Sequence, residues 1–350
     1  MTERPRLTAD LPGTGGTINS IEGFLVEEIP AYLPSGEGEH CMVQIEKREL
    51  NTNQALDILC RAFSVSSKEA GSAGMKDKWA VTRQWLTLPR VSPEKLRTFN
   101  EDKLRVLQAD WHGNKLRTGH LRGNRFRLVL EGIDADAQSR ADAIVARLQA
   151  HGAPNYFGMQ RFGADGKNAQ RGFDHLSGKG KPPRDRRLRR LMISAAQSQI
   201  FNDVLAERVA SQTMRTLVGG EVMQFATSNA IFISEDSEVD QQRIEGGELV
   251  ITGPICGPRM PACLEESESR QIEDRIFAKY DVAPADFSKL GRLARGGRRP
   301  LWVSMADLSV DVQGDSLIAE FMLPAGAYAT VILDELSKTP EQLLRQPQRN

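Results

Sequence analysis

The sequence predicts an α+β fold with a mixed or antiparallel sheet, interrupted by a second domain. Three observations predict it. Short segments near the N-terminus alternate apolar and polar residues with the two-residue period of half-buried strands. They are interleaved with longer segments of helical period, in the order β-β-α-β-β-α, which is that of an α+β domain. The strand character then weakens over roughly residues 154–303 and returns afterwards. The ends therefore read as one discontinuous domain, 1–153 with 304–350, and 154–303 as an inserted α/β domain.

"FLVEEIP" (24–30) and "CMVQIEKRE" (41–49) alternate as strands, with the turn-rich "LPSGEGEH" between them. "NTNQALDILCRAF" reads as a helix that Asn51 or Thr52 can cap. It places Ala55, Leu56, Leu59 and Phe63 on one face. "AVTRQWLTLP" is a strand that Pro89 ends, and "FRLVLEGI" is another. "DAQSRADAIVARLQAHG" is a helix with Ala141, Ile144, Val145 and Leu148 inward and Gly152 as its stop.

Beyond "GAPNYFGMQRFG" the period changes. Residues 185–211 read as one long helix with an apolar stripe from Leu188 to Val209. Short strands follow ("VGGEV", "EGGELVITGPICGPRMP"), then a helix in "SRQIEDRIFAKYDV". "PLWVSMADLSVDVQGDSLIAEFMLP" restores the alternation, and "AGAYATVILDELSK" is a turn feeding a helix.

The chain has 350 residues, 40% of them hydrophobic and 26% charged, the composition of a globular protein. No apolar run approaches the roughly 20 residues of a membrane helix. The polar N-terminus lacks the apolar stretch of a signal peptide, so a cytoplasmic protein is expected. Four cysteines and five histidines show no ligand spacing, and no metal site is expected.

Net charge is zero, with 46 basic and 46 acidic residues, but the signs are segregated. The run from Trp111 to Leu130 has no acid and contains Lys115, Arg117, Arg122, Arg125 and Arg127. "KGKPPRDRRLRR" carries seven basic residues against one acid, and "RLARGGRR" carries four arginines. Such clustering can form a basic face that binds a polyanion.

In "GMKDKWAVTRQW", Asp77 stands between two lysines before a strand. Lys76, Lys78 and Arg83 can hold its carboxylate ionised and also attract phosphate. An ionised carboxylate serves as nucleophile or general base. "GNRFRL" places Asn124 and Phe126 on one strand face, an amide that can read a base edge beside a ring that can stack. "PNYFGMQRFG" gathers three aromatics in ten residues and reads as a structural corner at the domain junction.

Taken together, "GEGEH…EKRELNT", "AGMKDKWAVTRQW", "GNRFRL", "NYFGMQRFG" and "LPAGAYATVIL" run in an order and spacing that resembles the TruD family of tRNA pseudouridine synthases. The resemblance implies a pseudouridine-synthase-like catalytic domain built from both chain ends, with an inserted domain specific to that family. It implies isomerisation of a tRNA uridine, at position 13, without cofactor or metal. It makes Asp77 the catalytic nucleophile and puts Phe24, Asn124 and Tyr328 against the target uridine, with Phe126 beside them. Asp77 would attack C1′ or act through proton transfer at the sugar. The basic residues Lys76, Lys78, Arg83, Arg186, Arg187, Arg189 and Arg190 are candidates for the RNA backbone. tRNA is the expected partner, with no membrane and no obligatory protein partner.

Three positions depart from the family pattern. Ile18 or Asn19 stands where a basic residue is usual, Tyr328 replaces the commoner Phe, and Asp334 stands where an arginine is usual. The missing basic residue leaves one alternative reading, a tRNA-binding or tRNA-folding protein with weak or no catalysis.

Overall fold

A computed structural model describes residues 4–228 and 230–344. The chain divides into two compact units. Among the described residues, one comprises 11–149, 305–329 and 336–344; the other comprises 4–10, 150–304 and 330–335.

The first unit is built on a ten-stranded sheet. Along it the strands run Ser309–Gln313, Ser316–Pro324, Leu121–Ile133, Phe24–Pro30, Val81–Pro89, His40–Lys47, Leu104–His112 and Asn100–Glu101. Gly15–Thr17 and Gly71–Ser72 pair beside this path. Every pairing is antiparallel except Phe24–Pro30 with Val81–Pro89, so the sheet is mixed. That parallel pair lies in the middle, and the loop that enters Val81 carries Asp77.

Helix Thr52–Ala62 covers one face. Asn51 caps it, accepting from the Gln54 amide, while the Gln54 side chain accepts from the Asn51 amide. It buries Ala55 and Leu59 against Cys41, Val43, Ile45, Leu86 and Leu88. Each large apolar side chain removed from water this way stabilises the unit by about 1.5–3 kcal/mol. Leu56 and Phe63, also expected inward, are only partly buried at the edge of this cluster.

Strand Leu104–His112 was not legible in the sequence. Its register against His40–Lys47 shifts between Gln44 and Ile45, and the bulge breaks its alternation of buried and exposed residues. At the other end of the sheet, a Cβ on Gly123 would lie 2.4 Å from the Leu323 carbonyl oxygen. Only glycine lets the two strands approach there, immediately before Asn124.

The second unit holds a four-stranded antiparallel sheet, in the order Ile231–Ile233, Val222–Phe225, Leu249–Ile255, Gly297–Pro300. The strand expected in "VGGEV" begins only at Val222. Helix Arg186–Ala210 is its long element, capped by Asp185. Helices Asn168–Leu176 and Ser237–Glu245 add to the sequence reading. The first crosses the long helix so closely that a Cβ on Gly172 would lie 2.4 Å from the Met192 carbonyl oxygen.

"PNYFGMQRFG" is internal to this unit: Tyr156, Phe157 and Phe162 are buried, and Asn202 exchanges two hydrogen bonds with the Phe157 backbone. Here too the departure at Asp334 acquires a partner, since Arg6 donates to both its carboxylate oxygens at 3.0 and 3.1 Å. Among the described residues no helix is long and apolar enough to cross a membrane.

Candidate active site

Asp77 lies in irregular backbone four residues before Val81, and it is half-buried. The loop around it is held by buried polar side chains from three elements. Lys47, with no exposed surface, ends the His40–Lys47 strand. Its Nζ donates to the Asp77 carbonyl oxygen at 2.8 Å, to the Leu50 carbonyl oxygen at 2.7 Å and to Thr82 Oγ1 at 3.4 Å.

Thr52 Oγ1 accepts from the Lys76 amide at 2.8 Å and donates to Gln84 Oε1 at 3.0 Å. Gln84 Nε2 then donates to the Gly74 carbonyl oxygen at 3.4 Å. Three features of the loop, at Gly74, Lys76 and Asp77, are thus fixed by side chains that point inward from strands and a helix. A hydrogen bond of this kind contributes about 0.5–1.5 kcal/mol net, but leaving its buried partner unsatisfied costs about 1–3 kcal/mol. The loop geometry is therefore costly to leave.

Electrostatics reinforce the frame. Burial pulls the Lys47 ammonium down to about 8, although the Asp77 carboxylate pushes it up and Lys76 pulls it further down. A cation thus sits behind the Asp77 backbone, in the field of its carboxylate. Lys76 Nζ lies 2.6 Å from Glu28 Oε2, with side chains 7% and 0% exposed. Glu28 Oε1 also accepts from the Trp85 amide at 3.1 Å. Lys76 was a candidate for the RNA backbone; its ammonium is instead enclosed in this ion pair.

The pair also links the loop to the next element of the site. Glu28 is in register with Asn124 on the adjacent Leu121–Ile133 strand, and Asn124 is in register with Leu323. Asn124 Oδ1 is buried and has no hydrogen-bond partner. A buried amide oxygen in that state is an acceptor waiting for a donor. Tyr328 is half-buried in the turn that follows Ser316–Pro324, the strand beside Asn124.

Phe24 and Phe126 are largely enclosed. Both were expected to offer ring faces to a base, but they are 3% and 7% exposed. Their rings meet edge to face at 6.2 Å, and Phe126 stacks on Phe321 at 5.5 Å. Alternation pointed them into the sheet's covered face, so their area is used in the core. Tyr328 is more exposed than either.

The other charged candidates separate by burial. Lys78 is exposed, its Nζ 4.8 Å from the Trp79 ring centroid. Arg83 is half-buried and donates to Glu46 Oε2 at 3.1 Å; Arg105 reaches the other oxygen at 2.8 Å. Burial raises the Glu46 carboxyl, but the hydrogen bonds from Arg83 and Arg105 outweigh it and hold it below the usual carboxylate range. Arg186, Arg187 and Arg190 are exposed at the start of the long helix of the second unit, while Arg189 donates to the Pro183 carbonyl oxygen.

Two arginines of "RLARGGRR" prove structural. Arg298, 1% exposed, pairs with Glu273 at 2.8 Å, and Arg299 donates to Asn155. Asn19, where a basic residue is usual, accepts from Thr17 and donates to Glu131 at 3.1 Å. The four cysteines are free and buried. Among the described residues no cluster of three or more His, Cys, Asp or Glu side chains is spaced to hold a metal ion.

Sequence reading missed Lys47, Glu28 and Gln84. A signal was present. Lys47 follows Cys41, Val43 and Ile45 in strand phase, Glu28 follows Phe24 and Val26, and Gln84 precedes Leu86 and Leu88. An ionisable or amide side chain in phase with an apolar stripe is buried and must find a partner.

Comparison with known proteins finds relatives over most of the chain. The family model described as "tRNA pseudouridine synthase D (TruD)" matches residues 2–179 and 184–336. A protein named tRNA pseudouridine synthase D from Anaeromyxobacter sp. (strain Fw109-5) is 42% identical over 349 residues, covering 98% of each chain. One of the same name from Thermus thermophilus is 40% identical over 339 residues, 95% of this chain and 92% of that one. A crystal structure titled as a putative tRNA pseudouridine synthase D from Methanosarcina mazei superposes with a TM-score of 0.78, covering 96% of both chains at 21% identity. That similarity is one of fold.

Proposed function

This chain belongs to the TruD family of tRNA pseudouridine synthases, isomerases that convert uridine in tRNA to pseudouridine, and from that premise we propose that Asp77 is its catalytic carboxylate. The observation that carries this reading is the fixation of the Asp77 loop by Lys47, Thr52 and Gln84, side chains of three separate elements. A carboxylate held on such a frame presents one geometry to a sugar carbon, which is what positioning contributes to catalysis.

The reaction breaks N1–C1′, turns the uracil and forms C5–C1′. The C5 proton leaves and N1 ends protonated, so no atoms are gained or lost. Neither C1′ nor C5 is accessible in stacked RNA, so the uridine is flipped out. Asp77 acts at C1′ as nucleophile or by proton transfer at the sugar. Asn124 Oδ1, buried without a partner, suits the N3–H of the displaced uracil, and Tyr328 offers its ring to the base. The target is the uridine at position 13 of cytoplasmic tRNA. Lys78, Arg186, Arg187 and Arg190 hold the backbone, mostly without reading sequence.

The test is chemical mapping of pseudouridine in unmodified tRNA incubated with the protein. Wild type forms it at position 13, and Asp77→Asn loses at least about 10³-fold in rate while keeping tRNA affinity. Comparable activity of Asp77→Asn removes Asp77 from the chemistry.

A further inference from the structure

The acid-free run from Trp111 to Leu130 supplies Asn124 and Phe126 to the candidate active site, but its first part builds something else. A groove of about 470 Å³ is lined by Tyr32, His112, Asn114, Lys115, Arg117 and His120, none of them acidic. His112 closes its inner wall. It is 8% exposed, and neither Nδ1 nor Nε2 has a hydrogen-bond partner. A buried polar group left in that state is unfavourable, and a ligand offering hydrogen bonds relieves it.

The ring is not free to turn away. Tyr32 stacks on it at 5.1 Å and 21°, and the Tyr32 hydroxyl shares a 2.6 Å hydrogen bond with His120 Nδ1. Lys115 donates to the Lys68 carbonyl oxygen at 2.6 Å and retains two further protons for a ligand. Arg117 is exposed at the rim. The lining therefore offers an ammonium, a guanidinium and an unpartnered imidazole without a competing carboxylate. That donor set is complementary to a phosphate oxyanion.

We propose that this groove is a second RNA contact, which holds a backbone phosphodiester of the tRNA substrate through Lys115, Arg117 and His112. The proposal rests on tRNA being the substrate. Its loop is tied to the active-site segment, because the Gly119 amide donates to the Ala73 carbonyl oxygen at 2.8 Å and the Leu116 amide to Thr87 Oγ1 at 3.0 Å. Ala73 opens the stretch that Thr52, Gln84 and Lys47 fix as far as Asp77. A phosphate seated here registers the RNA on the same frame that carries the carboxylate.

The experiment uses the full chain and its Arg117→Gln variant. tRNA affinity is measured across a salt series, with kcat and KM for pseudouridine formation. The expected result is a rise of roughly 3- to 10-fold in Kd and KM, a salt slope smaller by about 1, and kcat within about twofold of wild type. The side-chain NMR signals of His112 in the wild-type protein move when tRNA is added. Unchanged Kd and salt slope, with His112 signals that do not move, overturn the proposal. If inorganic phosphate moves them and tRNA does not, the groove takes a free anion and the RNA assignment is overturned. If Arg117→Gln loses affinity while wild type forms no pseudouridine, the groove stands and the catalytic reading fails.

Discussion

Two of the cations around Asp77, Lys47 and Lys76, are enclosed. Lys47 has no exposed surface and Lys76 has very little, and each is engaged by buried acceptors. At the start of the Arg186–Ala210 helix, Arg186, Arg187 and Arg190 reach solvent, with exposed Leu188 and Leu191 among them. Both regions read as basic sequence, yet the physics differs. An enclosed ammonium in a low-dielectric site interacts strongly over short distance and fixes one geometry. An exposed guanidinium is screened within about 10 Å and can release counterions when it meets a polyanion. The first kind of charge positions chemistry; the second recruits a substrate.

Three variants test the contrast, from the largest effect to the smallest. Lys47→Met removes the donor from three acceptors, the Leu50 and Asp77 carbonyl oxygens and Thr82 Oγ1. Rate measurements under single-turnover conditions are expected to show kcat down about 100-fold with tRNA affinity retained, and a denaturant melt a loss of about 2–3 kcal/mol. Full kcat in that variant would mean that Lys47 serves folding alone. Asn124→Ala should reduce kcat/KM by about 10- to 100-fold, the worth of one or two buried hydrogen bonds in the transition state. Equal kcat/KM for this variant and wild type would show that the orphan amide oxygen never meets the uracil. Replacing Arg186, Arg187, Arg189 and Arg190 together with Gln should weaken tRNA binding by about 10-fold. The salt dependence should also flatten, by about 1 in slope for each phosphate that the helix no longer neutralises, with kcat unchanged. Binding that stays put would turn this cluster away from the RNA.

Much of the sheet was legible because alternation survives wherever one face is covered. Phe24–Pro30, Val81–Pro89 and Ser316–Pro324 fall within segments read as strands. Leu104–His112 escaped because a bulge in its pairing disrupts the period. Helix Ser237–Glu245 escaped because its buried residues are only Asp240 and Ile244, too few for an apolar stripe. Of the three aromatics expected to stack on the base, Phe24 and Phe126 are 3% and 7% exposed. Their phase points them to the covered face of the sheet, where their rings meet one another and Phe321.

From sequence alone came the period of the main strands and helices, the motifs that identify the family, and Asp77 as the residue to test. Only the tertiary structure decided what surrounds it. Lys47 and Asp77 are 30 residues apart, and Glu28 and Asn124 lie on strands joined by most of the first unit. Their meeting depends on which strands are neighbours and in what register. Those relations arise from long-range pairing of the sheet, to which no local period of the chain responds.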